Sequence, residues 1–119
     1  MDHKLTFGTA VVYENSIEVV IEEGQVFDEN KLSELFEVFN FYFSDKKFGY
    51  ISNRKYSYSI DLSPAIYNSI HENMAALAVV CYSPICEQSA LFEKQFYREL
   101  PFEVFATKEE AYIWIKTIV

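Results

Sequence analysis

A chain of 119 residues carrying 10 Lys+Arg against 18 Asp+Glu, with 11 Phe and 9 Tyr, is one aromatic-rich globular domain of net charge −8. That charge opposes a phosphate backbone and excludes general nucleic-acid binding. Glycines only at 8, 24 and 49 exclude a phosphate-cradling loop, two His with two Cys fall short of a four-ligand zinc site, and no apolar run reaches the ~18–20 residues of a membrane span.

No cofactor, no metal and no stable membrane insertion are therefore expected. Met1-Asp2-His3-Lys4 lacks the charged lead and apolar core of a signal peptide. With no export signal, a cytoplasmic protein is expected, and the lone C-x4-C pair, Cys81 and Cys86, is expected as reduced thiols.

Leu5 to Tyr13 alternates as one strand, with Leu5, Phe7, Thr9, Val11 and Tyr13 on one face. Glu14-Asn15-Ser16 is turn chemistry, and Ile17, Val19 and Ile21 then alternate with Glu18, Val20 and Glu22, so the two runs form a hairpin that Gly24 ends. Asp28 caps a helix whose apolar stripe is Leu32, Leu35, Phe36, Phe39 and Phe43. Phe48 to Ser52 is a short strand, and Ser63-Pro64 opens a short helix through Ile66, Tyr67 and Ile70. Ala75 to Tyr82 is apolar on both faces, as in a central strand covered on both sides. Ser89 to Leu100 predicts a helix with Leu91, Phe92, Phe96 and Leu100 inward. Phe102 to Phe105 is a last strand, and the capping box Thr107 to Glu110 opens a final helix with Ala111, Trp114, Ile115 and Ile118 on one side.

The order is ββαβαβαβα. It predicts a single α/β domain over 1–119, with a mixed sheet of about five strands, an opening hairpin, later strands parallel, and about four covering helices.

This order resembles the STAS domain of anti-sigma-factor antagonists and sulfate transporters, especially its SpoIIAA-like relatives and the small bacterial proteins grouped with CRAL-TRIO-like domains. The residues that carry the resemblance are Tyr50-Ile51-Ser52-Asn53-Arg54, Ser57-Tyr58-Ser59, and Leu100 to Phe105 followed by Thr107-x-Glu109-Glu110-Ala111-x-x-Trp114. It implies a regulatory domain that docks a protein partner or itself. Anti-sigma antagonists carry a phosphorylatable serine after the third strand, which makes Ser57 and Ser59 the candidate phosphoacceptors here. No Asp closely precedes them and no Gly follows.

Charge is unevenly spread. Between Glu14 and Glu37 eight acids face one base, whereas Asp45 to Tyr58 holds Lys46, Lys47, Arg54 and Lys55 against one acid. Ligands of open α/β sheets bind beyond the carboxyl ends of parallel strands. The candidate binding segment is therefore Asn53, Arg54, Lys55, Tyr56, Ser57, Tyr58 and Ser59. In it Arg54 would clamp an anion, Tyr56 and Tyr58 would form flat walls, and the serines would donate hydroxyls. The competing reading is a solvated loop whose Arg54 answers a nearby Glu.

No nucleophile stands beside a base, His71-Glu72 lacks a second His, and no enzyme is expected. Three functions remain: a regulatory protein-interaction domain, a module for an anionic small molecule or lipid, and a serine-phosphorylated switch. A homodimer is a further expectation, since the opening strands leave an edge.

Overall fold

The computed structural model describes residues 1–60 and 71–119. The helix expected from Ser63-Pro64 lies outside the described residues. In chain order the elements are β1 (Asp2–Leu5), β2 (Gly8–Val12), β3 (Ser16–Ile21), β4 (Val26–Phe27), α1 (Glu29–Phe43), β5 (Phe48–Arg54), β6 (Ser59–Ile60), β7 (Met74–Cys81), α2 (Pro84–Lys94), β8 (Phe102–Phe105) and α3 (Lys108–Lys116).

Among the described residues, six strands form one mixed sheet in the order β1-β2-β3-β5-β7-β8. The first three are antiparallel neighbours, and β3, β5, β7 and β8 run parallel. The α/β class and mixed sheet agree with the sequence, with three helices among the described residues. Three strand assignments differ, one of them the end of β5, which runs on to Arg54. Leu5 to Tyr13 is not one strand but two, turning at Thr6 and Phe7. The alternation hides this turn because Phe7 is itself fully buried, while Thr6 donates its backbone N–H and its hydroxyl to the Glu34 carboxylate. The third difference is a separate parallel pair, β4 with β6, joining Val26 to Ser59 and Phe27 to Ile60.

The pleat sends alternate residues to opposite faces. On one face, Ile17, Val19, Phe48 and Tyr50 pack beneath Leu35, Val38, Phe39 and Phe43 of α1. Further along that face, Leu77, Val79 and Cys81 meet Ala90 of α2, together with Leu100 and Phe102. On the other face, Ile51, Ala76, Ala78 and Val80 pack under Ala111 and Ile115 of α3. That helix lies so close that a Cβ on Gly49 would fall 2.4 Å from Ile115 Cγ2.

α1 begins where the sequence predicts, with Lys31 N–H donating to Asp28 Oδ1 at 3.1 Å. α3 is capped by Thr107, whose Oγ1 accepts from Glu110 N–H at 3.2 Å. Ala111 and Ile115 are buried as expected, but Ile118 is exposed beyond the helix end.

α2 departs furthest from expectation. It starts at Pro84 instead of Ser89 and ends at Lys94. Ser83 is its N-cap, accepting from Cys86 N–H at 3.2 Å, and Pro84 occupies the first turn, where a missing N–H costs nothing. The residues expected to face inward lie on its outer side. Leu91, Phe92 and Phe96 are exposed, and only Leu100, past the helix, is buried as predicted. The inward positions are Cys86, Ala90 and Glu93, at helical spacing i, i+4 and i+7.

Candidate functional site

The seven residues of the candidate segment divide among three environments. Asn53 and Arg54 are not loop residues but the last two residues of β5, and adjacent strand positions point to opposite faces.

Asn53 turns to the α3 side. Its Nδ2 donates to Glu18 Oε2 at 2.8 Å, and the Tyr13 hydroxyl donates to Glu18 Oε1 at 3.4 Å. Glu18 is only 6% exposed, so these two donors answer a carboxylate held out of water. Burial, and then the Glu18 charge, push the Tyr13 hydroxyl above its ordinary value. Among the described residues, Asn53 Oδ1 is buried without a hydrogen-bond partner.

Arg54 turns to the α1 and α2 side, where both terminal nitrogens meet Glu93 of α2. Nη1 donates to Oε2 and Nη2 to Oε1 at 2.9 Å, a two-pronged ion pair, while Nε donates to Ser52 Oγ at 3.3 Å. Burial works against the guanidinium charge, but Tyr58 and the Glu93 carboxylate outweigh it and hold Arg54 above its ordinary value. Burial, and then Tyr58, also push the neighbouring Tyr50 hydroxyl well up. The competing expectation, that Arg54 answers a Glu, meets this ion pair, but Arg54 is part-buried in β5, not in a solvated loop, and no spacing identifies Glu93, 39 residues away.

Lys55, Tyr56 and Ser57 form the exposed turn, with the Lys55 ammonium 5.6 Å from the Tyr56 ring centre. The turn is fastened to the chain after β3: Gly24 N–H donates to Ser57 O and Ser59 N–H to Gln25 O, both at 2.9 Å. Gly24 has φ of 81°, a conformation that an L side chain rarely adopts. Tyr58 is half-buried against the core, and Ser59 is exposed in β6.

Two hollows meet at this place. An inner cavity of about 70 Å³ lies between the sheet and α1, bounded by Leu35, Phe36, Phe39, Tyr50, Met74 and Tyr97 among others. An outer groove of about 860 Å³ runs between Lys55–Tyr58 and α2, walled by Tyr82, Ile85, Cys86, Gln88, Ser89 and Phe92. Arg54, Tyr58, Ile60 and Glu93 line both, so the ion pair stands between groove and cavity. The groove's apolar wall is open to solvent: Ile85 is 78% exposed, Phe92 57% and Tyr56 43%.

The cysteines correct the sequence reading. Cys81 and Cys86 are not separate reduced thiols but a disulfide, with Cα atoms 5.6 Å apart. The signal that finds this is Ser83-Pro84, the same cap-and-proline pair as Ser63-Pro64. It starts α2 early and brings Cys86, in the first turn, back beside the end of β7.

His71 is not an open ligand position. Its Nε2 lies 2.7 Å from Asn40 Oδ1, its Nδ1 accepts from Asn73 N–H at 3.1 Å, and its ring meets those of Phe36, Phe39 and Phe48. Among the described residues, no group of three or more His, Cys, Asp or Glu is placed to hold a metal ion, and no helix is long and apolar enough to cross a membrane. No family model, curated protein or solved structure matches the chain.

Proposed function

We propose that the chain is a regulatory interaction domain, not an enzyme, with a STAS- or SpoIIAA-like arrangement, and that it docks a protein partner in the groove between Lys55–Tyr58 and α2. The observation that carries this reading is the direction of the α2 stripe. Ile85, Ser89 and Phe92 follow one another at i, i+4 and i+7 and face outward, while the inward positions hold a cysteine, an alanine and a glutamate. Exposing an isoleucine and a phenylalanine together beside two exposed tyrosines leaves apolar surface that a partner's burial would stabilise.

Arg54 is neutralised within the fold by Glu93, and among the described residues Lys55 has no ion pair. The partner segment that fits is apolar, with an acidic residue near Lys55. A photo-crosslinking residue at position 92 is expected to give a discrete partner adduct in cells. The same probe at Phe41, an exposed position on α1, is expected to give none. Ile85→Glu is expected to abolish the adduct without changing the thermal midpoint. Equal labelling from both positions overturns the reading.

A second reading rests on the groove's volume, which falls within the range of small-molecule sites. An anionic amphiphile, a lipid included, would place its charge near Lys55 and its apolar body against Ile85 and Phe92. Native mass spectrometry of freshly purified protein is expected to show a bound mass that Ile85→Glu removes. The bare chain mass alone, with no thermal shift from anionic lipids, sinks this second reading.

A further inference from the structure

The disulfide joins two unlike sites. Cys81 is the last residue of β7, 7% exposed, and packed with Leu77, Val79, Ala90, Leu100 and Phe102. Cys86 sits in the first turn of the eleven-residue α2, is only half-buried, and forms part of the groove wall. One cysteine is thus enclosed and the other lies at the groove. Their Cα separation of 5.6 Å lies at the centre of the range for bridged cysteines, so the backbone is placed to close or reopen the bond with little movement. The bridge spans a sequence separation of five, a short loop that restrains the unfolded chain less than a long one would. Its contribution to stability is therefore at the low end of what a disulfide supplies.

We propose that Cys81–Cys86 is a redox-active pair, with Cys86 as the sulfur that exchanges with external thiols and Cys81 as the resolving sulfur. We further propose that its state alters the groove that Cys86 lines; this second clause rests on the groove being a binding surface.

The exchange balances with a low-molecular-weight thiol as reductant. Its thiolate attacks Cys86 Sγ, the Cys81–Cys86 bond breaks, and Cys81 leaves as a thiolate that takes a proton. A second thiolate attacks the external sulfur of the mixed disulfide. It releases the oxidised small disulfide and leaves Cys86 as a thiolate. Two electrons pass from two external thiols to the bridge. In reverse, Cys86 attacks a small disulfide, and Cys81 then attacks Cys86 Sγ and expels the external thiolate.

The positive end of the α2 dipole favours a Cys86 thiolate, although Pro84 carries no N–H and the Cys86 N–H is taken by Ser83 Oγ. Glu87, the next residue, opposes this in part. Arg54, the strand partner of Cys81, also borders the groove but is engaged by Glu93. The orientation of the pair decides the chemistry: the attacked sulfur is the one beside the groove, and the leaving sulfur is sheltered beneath α2.

The purified full chain, equilibrated over a series of reduced-to-oxidised glutathione ratios, quenched in acid and labelled with a thiol-reactive tag, tests the exchange directly. The expected result is reversible passage between bridge and dithiol within that series, with the near-ultraviolet circular dichroism of a folded protein throughout. Cys81→Ser with oxidised glutathione is expected to gain one glutathione mass at Cys86, whereas folded Cys86→Ser gains none. A bridge that yields only when the protein unfolds, or equal glutathionylation of the two variants, overturns the proposal.

The link to the groove is read separately with anilinonaphthalene sulfonate, an anionic apolar fluorophore. Its emission is expected to differ between oxidised and reduced protein, and Phe92→Glu is expected to remove that difference. Exchange without a fluorescence difference overturns the link. No bound dye in either state overturns the groove reading, while the exchange result still decides the cysteine proposal.

Discussion

α1 and α2 are both amphipathic by sequence, both lie on the same face of the sheet, and they use their apolar residues in opposite ways. In α1 the stripe points inward, and Leu35, Val38, Phe39 and Phe43 are buried against β3 and β5. In α2 only Ala90 and Glu93 are buried, while Ile85, Leu91 and Phe92 face solvent. The difference follows from what lies beneath. α1 covers large residues such as Phe48 and Tyr50. α2 rests on β7 through the small Ala90 and ties itself down with the Glu93–Arg54 ion pair and the Cys86–Cys81 bond. Periodicity reveals a stripe; which way the stripe turns depends on where the helix begins and what anchors it.

The sharpest way to break this comparison is to truncate one phenylalanine from each helix. Phe39→Ala removes a fully buried ring that contacts Phe48 and Tyr50, and is expected to cost about 3–5 kcal/mol in urea unfolding. Phe92→Ala is expected to stay within about 0.5 kcal/mol of the parent. Similar costs for the two would mean that the α2 stripe is buried in solution.

Next in size is the anchor of α2. Glu93→Ala leaves the Arg54 charge, whose side chain is 12% exposed, without its carboxylate, and is expected to cost about 3 kcal/mol. The double variant Arg54→Met with Glu93→Met is expected to cost less, because no uncompensated charge remains. Additive losses in the cycle completed by Arg54→Met alone and Glu93→Met alone, measured by urea unfolding, would show that the two side chains are not coupled.

The smallest effect is pH dependence beneath α1. Burial disfavours the His71 imidazolium and holds its pKa below the usual 6.5, with Glu72 raising and Lys47 lowering it to lesser extents. The neutral ring donates from Nε2 to Asn40 and accepts at Nδ1 from Asn73 N–H, so protonation at Nδ1 sets two N–H groups against each other. A depressed folded pKa means that the contribution is complete above 6.5 and declines as pH falls below it. The stability advantage of the parent over His71→Gln should therefore shrink on acidification below pH 6.5, measured by thermal unfolding at a series of pH values. An advantage that grows instead would show that the imidazolium is the favoured form.

Where local chemistry decides, the sequence is legible. Asp28 and Thr107 cap the helices that they predict, Ile17, Val19 and Ile21 pack on one face as read although Glu18 on the other is buried too, and the run around Ala78 is a strand buried on both faces. The candidate segment was legible as a place but not as an arrangement. Extending β5 by two residues sends Asn53 to Glu18 on one face and Arg54 to Glu93 on the other. Both partners are distant in sequence, and no spacing rule joins them. The start of α2 was readable from Ser83-Pro84, yet the aromatic residues further along pull the apparent helix toward Leu100, because an outward apolar stripe has the same period as an inward one.

The mixed sheet also imposes an order of assembly. Its antiparallel corner joins residues near in sequence, Gly8 to Ile21 and Val12 to Ile17, of the kind that hairpins form within microseconds. Each parallel neighbour must instead wait for a crossover to close, a slower step because chain entropy is lost before contacts form. The groove belongs wholly to this later half, since its walls run from Arg54 to Glu93. A chain still emerging from the ribosome cannot offer that surface until α2 is free to fold.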